Sequence, residues 1–278
     1  MGDNRSSFGG RLLLAIIIAF IGWMIYMNQV EENPVTKERQ HVSISPSDEI
    51  KLGIQSAPEM AEEMGGEMPA DDPRTIEVKK IGQYLVNHTI AKDSPWKFQF
   101  HLLDNRETIN AFALPGGQIF ITSGLLNKLN TEAELAGVLA HEMGHVIERH
   151  SAQQMSKGQL GQMLTMAVGT AANDQFNSGA YQIAALVNQT IQLRYSRKDE
   201  LEADTWGLKL MTDAGYDPRA MIEVMTILKS VSKGEQVDLF QTHPNPDLRI
   251  EQIENYLKKH PPQGNLSEGR NLQDVFRS

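Results

Sequence analysis

Five residues near the middle of the chain, His141-Glu142-Met143-Gly144-His145, have the spacing of a metal-binding helix. On an α-helix the histidines at positions i and i+4 lie one above the other, with Cβ atoms roughly 6 Å apart, which suits two ligands of one tetrahedral Zn²⁺ site. Glu142 lies beside them, where a carboxylate can act as general base towards a metal-activated water. Because the pattern also arises by chance, it predicts a zinc hydrolase only if a further ligand follows.

The chain has no cysteine, so any further metal ligand must be a histidine, an aspartate or a glutamate. A catalytic zinc site takes three protein ligands and keeps a fourth position open. The best candidate for the third ligand is Glu200, which has Asp204 four residues later on the same side of a predicted helix. Asp204 can accept a hydrogen bond from the distal nitrogen of a ligand histidine and so fix its tautomer. The alternative for this segment is an acidic, solvated helix face, as we expect for Glu202.

The composition limits the classes of function. With 278 residues, of which 40% are hydrophobic, the chain can form one globular domain with extensions. Its net charge of -9, without a basic stripe, argues against nucleic acid as a partner.

An uninterrupted apolar stretch runs from Leu12 to Met27, with Arg5 and Arg11 before it and Glu31 and Glu32 after it. Extended to residue 30, it approaches the thickness of a bilayer core, and it predicts a transmembrane anchor over residues 12–30. The charge distribution places residues 1–11 in the cytoplasm and the rest across the membrane. For a bacterial source this is a single-pass inner-membrane protein with a periplasmic catalytic domain. A cleaved signal peptide is the alternative, although no small-x-small site ends the apolar stretch.

The remaining chain divides into a polar tether (31–72) with at most one short helix, around Asp48 to Met64, a main domain (73–260) and a loose polar tail (261–278). Alternating residues predict strands at 96–102, 110–114 and 118–122, which form a small, mostly antiparallel sheet. The HExxH helix, capped by Thr131, carries no charge from Leu135 to Ala140 and should be buried. Further helices are predicted at 74–91, 153–172, 179–194, 199–214, 217–229 and 246–259. The methionines of the second of these, Met155, Met163 and Met166, are either core residues or the lining of a substrate groove.

Four motifs together resemble one family. They are HExxH, the Glu200-x-x-x-Asp204 pair, the segment Asn110-Ala111-Phe112-Ala113-Leu114-Pro115-Gly116-Gly117, and Thr242-His243-Pro244 with Arg249. In this order they resemble the gluzincin metallopeptidase family of the CAAX prenyl proteases and HtpX-type proteases, and are most similar to its BepA-like and LoiP-like periplasmic members. The resemblance covers roughly residues 45 to 260. It implies an α+β fold, namely a mainly helical zincin-type metallopeptidase domain, here preceded by one transmembrane helix.

The resemblance also implies roles for individual residues. Glu200 corresponds to the family's third zinc ligand, beside His141 and His145. The backbone of an edge strand at Asn110, Ala111 and Phe112 would pair with an extended substrate. Among Tyr195, Arg197, His243 and Arg249, the last two are the favoured stabilisers of the developing oxyanion. In BepA-like relatives the corresponding histidine can instead occupy the fourth zinc position, so His243 is also a candidate gate. His150 lies off the metal-facing stripe and is expected to be structural.

The sequence therefore predicts an endopeptidase with one Zn²⁺ per chain and Glu142 as its base, which cleaves misfolded or unassembled envelope proteins. The alternative is a latent or non-proteolytic zinc-binding chaperone with the same fold. A hydrolase of non-peptide substrates is a third alternative, against which the edge-strand motif counts. The sequence shows neither the multiple spans of the HtpX-type members nor the helical repeats of the BepA-like members.

Overall fold

The computed structural model describes residues 4–172, 195–232, 237–244 and 246–277. The described part is mainly helical with two small sheets, as predicted. The predicted helix at 179–194 lies outside the described residues. The elements, in chain order, are α1 (Asn4–Asn28), β1 (Val30–Glu32), β2 (Arg39–His41), α2 (Pro46–Glu63), α3 (Pro73–Asn87), a 3₁₀ turn (Ile90–Asp93), β3 (Gln99–Leu103), β4 (Ala111–Leu114), β5 (Gln118–Thr122), α4 (Ser123–Leu126), α5 (Glu132–Ile147), α6 (His150–Ala172), α7 (Arg197–Asp213), α8 (Ala220–Val231), α9 (Leu239–Thr242), α10 (Pro246–Lys259) and α11 (Leu272–Arg277).

The main sheet has three strands in the order β3-β5-β4. β4 and β5 form an antiparallel hairpin, whereas β3 and β5 are parallel, so the sheet is mixed and the prediction of a mostly antiparallel sheet is wrong in this respect. The hairpin turn explains the order, because it folds β5 back between the two earlier strands. Gly116 and Gly117 in this turn have φ angles of 78° and 115°, which a residue with a side chain rarely adopts.

Helices cover both faces of this sheet. On one face, Ala57, Met60 and Ala61 of α2 pack against Phe112, Leu114 and Phe120. On the other face, Ala111, Ala113, Ile119 and Ile121 belong to the main core with α3 and α5. The sheet is therefore a central layer that supports the HExxH helix α5 from one side.

The predicted tether over residues 31–72 is not a loose linker. α2 has 18 residues, begins with Pro46 at its first turn after the N-cap Ser45, and supplies part of the core. Before it, β1 and β2 pair as an antiparallel hairpin that packs on the end of α5. Asn33 Nδ2 donates to the carbonyl of Ile147 at 2.8 Å, and Gln40 Nε2 donates to that of Glu148 at 3.0 Å. This segment, 31–72, is thus part of the folded domain because it caps α5 and covers the sheet.

Arg149 closes the end of α5. Its φ of 58° is the left-handed conformation that commonly ends a helix, and its side chain is fully buried. The guanidinium contacts Glu49 of α2 at 2.6 Å, Glu31 at 3.1 Å and the Ile44 carbonyl at 2.8 Å. A buried arginine of this kind is stable only when its charge is paired, so α2, the β1–β2 hairpin and α5 depend on one another.

The apolar helix α1 contains one segment, Gly9–Asn28, that is long and apolar enough to cross a membrane. Most of its large side chains are exposed, including Leu13 at 60% and Phe20 at 58%. Among the described helices, α6 packs along it. Length, composition and exposure together suggest a membrane anchor.

The C-terminal segment 261–278 also differs from its prediction. The described residues of this tail pack back onto the domain: Ala133 donates its amide to the Glu268 carbonyl at 2.9 Å, and Leu272 donates to Asn130 at 2.8 Å. Leu272 and Val275 are buried. The prediction of a loose tail is wrong because these two apolar side chains join the core.

Candidate active site

Two helices bring the predicted metal ligands together. α5 carries His141 and His145, whose Nε2 atoms are 3.1 Å apart, and α7 carries Glu200, whose carboxylate oxygens lie 3.6 and 3.7 Å from them. All three side chains are buried. The helices approach closely because Gly144 has no side chain: a Cβ there would lie 2.7 Å from the carbonyl oxygen of Ala203.

The donor set suits a divalent metal. The Nδ1 atom of His141 lies 2.9 Å from the Asp204 carboxylate, so its proton belongs on Nδ1 and its Nε2 presents a lone pair. Burial lowers the pKa of His145 well below its ordinary value, so this imidazole is neutral. Two lone pairs and a carboxylate that face one another need a cation between them, and two nitrogens and one oxygen suit zinc.

His150 contacts a ligand histidine, although its sequence position suggested a purely structural residue. Its Nδ1 lies 2.8 Å from Nδ1 of His145, and its Nε2 lies 3.3 Å from the carboxylate of Glu202. If His145 uses Nε2 for the metal, its Nδ1–H donates to His150, whose Nε2–H donates to Glu202. The chain reverses at Arg149, immediately after α5, and this turn brings His150 back beside the ligand. No i+4 spacing in the sequence could reveal it.

His243 completes a cluster of four candidate ligands. Its Nδ1 lies 3.0 Å from Glu200 and 3.3 Å from Nε2 of His141, and ligand atoms of His141, His145, Glu200 and His243 all lie within 4.8 Å of one another. The side chain is fully buried, and its Nε2 has no hydrogen-bond partner among the described residues. Burial opposes its charged form, yet the carboxylates of Glu200 and Glu142 raise the pKa of His243.

Arg249 has a different environment from the one expected of an oxyanion donor. Its guanidinium donates to both oxygens of Asp204, at 2.8 and 2.6 Å, and lies 2.9 Å from Glu200. With only 2% of its surface exposed, it is held by these two carboxylates. The geometry fits a residue that positions Asp204 and Glu200. Burial raises the pKa of Glu200, but the charges of His243 and then Arg249 outweigh it and lower this pKa.

The other two oxyanion candidates are not placed to act. Tyr195 stacks on the ring of His145 at a centroid distance of 3.9 Å, and its hydroxyl lies 3.2 Å from that of Ser151. Burial raises the pKa of this phenol. Arg197 begins α7 and is exposed.

Glu142 lies on the same turn of α5 as His141 and is buried, with 1% of its surface exposed. Its Oε1 is 3.6 Å from Nε2 of His243, and its Oε2 has no hydrogen-bond partner in the described part of the chain. Burial raises the pKa of this carboxyl, which favours proton uptake by a group that acts as a base. An unpaired, buried carboxylate oxygen beside two metal ligands is suited to hold and release a proton.

A small apolar cavity, of about 20 Å³, adjoins Glu142 and His243. Its apolar lining comes from α5, α8 and α9, namely Gly137, Val138, Met221, Val224, Met225 and Leu239. The methionines named from the sequence lie elsewhere: Met155 is in the core, and Met163 packs against α1. None of Met155, Met163 and Met166 lines this cavity; the methionines that line it are Met221 and Met225.

Ala111 and Phe112 lie in the edge strand β4, and Asn110 directly precedes it. Among the described strands, β4 pairs only with β5. All three are buried, and Asn110 Oδ1 has no hydrogen-bond partner within the described segments. β4 also contacts α5 directly, so this edge runs beside the metal-binding helix.

The comparisons with known proteins agree with this geometry. The profile of peptidase family M48 matches residues 73–257. The mitochondrial metalloendopeptidase OMA1 of Schizosaccharomyces pombe is 31% identical over 239 residues, which cover 85% of this chain and 69% of that protein. The beta-barrel assembly-enhancing proteases of Yersinia pestis and Escherichia coli are 31% and 30% identical over 66% of this chain, and this chain matches 40% and 39% of their lengths.

The family profile covers more than half of the chain and includes all the candidate ligands, from His141 to His243. The resemblance to BepA-like gluzincins drawn from the four motifs is thereby confirmed. The chain belongs to peptidase family M48 and is a metalloprotease.

Proposed function

We propose that this protein is a zinc-dependent endopeptidase that cleaves misfolded or unassembled polypeptides at a cell envelope. One observation carries the proposal. His141, His145 and Glu200 converge beside Glu142, a buried carboxylate with an unpaired oxygen, and an apolar cavity opens next to them. The bacterial relatives are named beta-barrel assembly-enhancing proteases, which supports an envelope substrate.

Each residue has a distinct part in the proposed reaction. When bound by His141, His145 and Glu200, zinc would supply a Lewis acid and make its water ligand more acidic. Glu142 takes up the proton of the attacking water on Oε2 and gives it to the leaving amide nitrogen. Asp204 and Arg249 fix His141 and Glu200, and His150 with Glu202 fixes His145.

Substrate binding would combine backbone pairing with one apolar contact. An extended peptide adds to the β4 edge along Ala111 and Phe112, which positions its backbone without demanding a particular sequence. The small cavity beside Glu142 is lined by methionine, valine and leucine side chains, so an apolar substrate side chain would enter it next to the cleaved bond when the flexible Met221 and Met225 move aside. Unfolded proteins expose both features, which is the support for a role in quality control.

His243 has two proposed roles in the site. Its contact with Glu200 at 3.0 Å, inside the four-residue cluster, favours a histidine that occupies the fourth ligand position and keeps the enzyme latent. If it withdraws, the same imidazole can donate to the developing oxyanion. If His243 stays in the fourth ligand position, the second proposed function follows, a zinc-binding chaperone that seldom cleaves.

The proposed location follows from α1. The apolar segment Gly9–Asn28 has Arg5 and Arg11 on its N-terminal side, so residues 31 onward would lie across the membrane from the cytoplasm. In a bacterial cell the catalytic domain would then lie in the periplasm.

The test is digestion of casein, an unfolded protein, by the full chain in detergent. Wild type is compared with Glu142→Gln after equal zinc content has been confirmed. We expect cleavage by wild type and a loss of about 10²- to 10⁴-fold in the variant. Equal cleavage by both proteins would refute the role of Glu142.

A His243→Ala variant separates the two remaining outcomes. If neither wild type nor Glu142→Gln cleaves, but His243→Ala does, the enzyme is latent through His243. If His243→Ala also binds zinc and fails to cleave, the chaperone function is favoured.

A further inference from the structure

α6 packs along α1 within the segment that we propose to span the membrane. The contact is close: a Cβ built on Gly22 would lie 2.9 Å from Cβ of Met163. Gly22 is six residues before Asn28, the end of the apolar segment, which corresponds to roughly 9 Å of helix. Any side chain that packs on Gly22 must therefore lie at about the same depth.

Both helices leave the domain at one place. α1 ends one residue before β1, and the His41 ring of β2 stacks on Tyr26 of α1 at a centroid distance of 4.5 Å. α6 begins at His150, directly after the end of α5 on which the β1–β2 hairpin packs, and it also contacts β2. The two helices thus run antiparallel, both away from the domain.

The composition of α6 changes along its length. Its first part contains Lys157 and contributes the buried Met155 and Ser156 to the domain. After Lys157, the next charged residues of the chain are Asp174 and then Arg194. In this uncharged part Leu164 and Met166 expose 44% and 39% of their surface, beside the exposed apolar side chains of α1.

We propose that the second half of α6, from Gly158 onward, is inserted in the bilayer beside α1 and that lipid acyl chains contact Leu164 and Met166. The inference rests on the proposed anchor, because α6 shares the depth of α1. It adds a membrane contact made by the peptidase domain itself, since α6 lies in the chain between α5 and α7, the helices that carry the metal ligands. An aqueous α1–α6 pair would instead leave a large continuous apolar surface in water, which soluble proteins avoid.

The absence of cysteine allows single-cysteine variants of the otherwise unchanged full chain. We would compare Leu164→Cys with Ile17→Cys in α1, and with Lys157→Cys and Glu59→Cys at exposed positions of α6 and α2. Each variant is placed in phosphatidylcholine nanodiscs and treated with a membrane-impermeant maleimide. We expect labelling of Leu164→Cys and Ile17→Cys to be at least about tenfold slower than that of the other two, and equal in all four after denaturation.

The outcomes separate the two proposals. Slow labelling of Ile17→Cys with fast labelling of Leu164→Cys would overturn the insertion of α6 and leave the anchor intact. Fast labelling of both would refute the anchor, on which the inference depends. A nitroxide on Leu164→Cys then distinguishes lipid from protein surroundings: insertion predicts high accessibility to oxygen and low accessibility to a polar nickel chelate. Low accessibility to both would overturn the contact with lipid.

Discussion

The contact between His150 and His145 leads to a quantitative prediction about metal binding. In the structure the only group that faces Nδ1 of His145 at hydrogen-bond distance, among the described residues, is Nδ1 of His150 at 2.8 Å. Replacement of His150 by leucine introduces an apolar side chain of similar size and removes the hydrogen-bond acceptor. The Nδ1–H of His145 is then buried without a partner, and its ring is free to change orientation.

The expected loss follows from the burial of this contact. Partners that orient ligand histidines typically contribute 10- to 100-fold to metal affinity, or about 1.4 to 2.7 kcal/mol. Because His145 and His150 each expose only 1% of their surface, water cannot replace the acceptor, and we expect His150→Leu to fall in the upper part of this range. His150→Asn places an amide oxygen near the former Nδ1 position and should retain affinity to within a few-fold.

The assay is competition for Zn²⁺ between the full chain in detergent and a chromophoric chelator, which needs no enzymatic turnover. The absorption spectrum of the Co²⁺-substituted protein reports the ligand geometry independently. His88→Gln, at an exposed histidine on the end of α3, is the control substitution. Wild-type affinity in folded His150→Leu would refute the reasoning. Equal losses in His150→Leu and His150→Asn would show that His150 acts through packing instead of its hydrogen bond.

Two further predictions concern packing and pH. Gly144→Ala should destabilise the protein by about 1–3 kcal/mol and weaken Zn²⁺ binding, because the added Cβ would meet the backbone of Ala203. The control is Gly137→Ala, whose Cβ would meet only flexible methionine side chains. Equal thermal unfolding midpoints of the two variants would contradict this prediction. Burial raises the pKa of Glu49 to about 7, so its contribution to stability is full below about pH 4.5 and decreases by up to about 3 kcal/mol as the pH rises through 7. As the pH rises across this range, the unfolding midpoint of wild type should therefore fall relative to that of Glu49→Gln. A constant difference between the two midpoints would exclude this effect.

The parts of the site that the sequence predicts are those governed by local spacing. His141, His145, Glu200 and Asp204 could be identified because each pair is four residues apart on one helix, and helical geometry then fixes which side chains share a face. The strands β4 and β5 were predicted to within one residue, since a Pro-Gly-Gly turn separates two apolar segments.

The parts that the sequence did not predict depend on contacts between distant segments. β3 pairs in parallel with β5, although β4 lies between them in the chain. Alternation of residues predicts a strand but does not show which other strand it pairs with. The helix α2 was predicted at 48–64 and lies at Pro46–Glu63, but its packing on the sheet was not predicted, because that contact joins segments distant in the chain. The start of α8 is displaced from Asp217 to Ala220 for a local reason: the Asp217 carboxylate holds the amide and the side chain of Arg219 in a turn.

The cap on α5 has a consequence for how the protein folds. Asn33 and Ile147 are 114 residues apart in the chain, and Glu49 and Arg149 are 100 apart. Contacts of such sequence separation form late, because a long loop must close before they contribute. The last turn of the HExxH helix, which carries His145, is thus completed by residues synthesised long before it. We expect the nascent protein to acquire a competent metal site only after the segment with Asn33 and Glu49 has docked on the end of α5, so that assembly of the site reports that this N-terminal segment has folded.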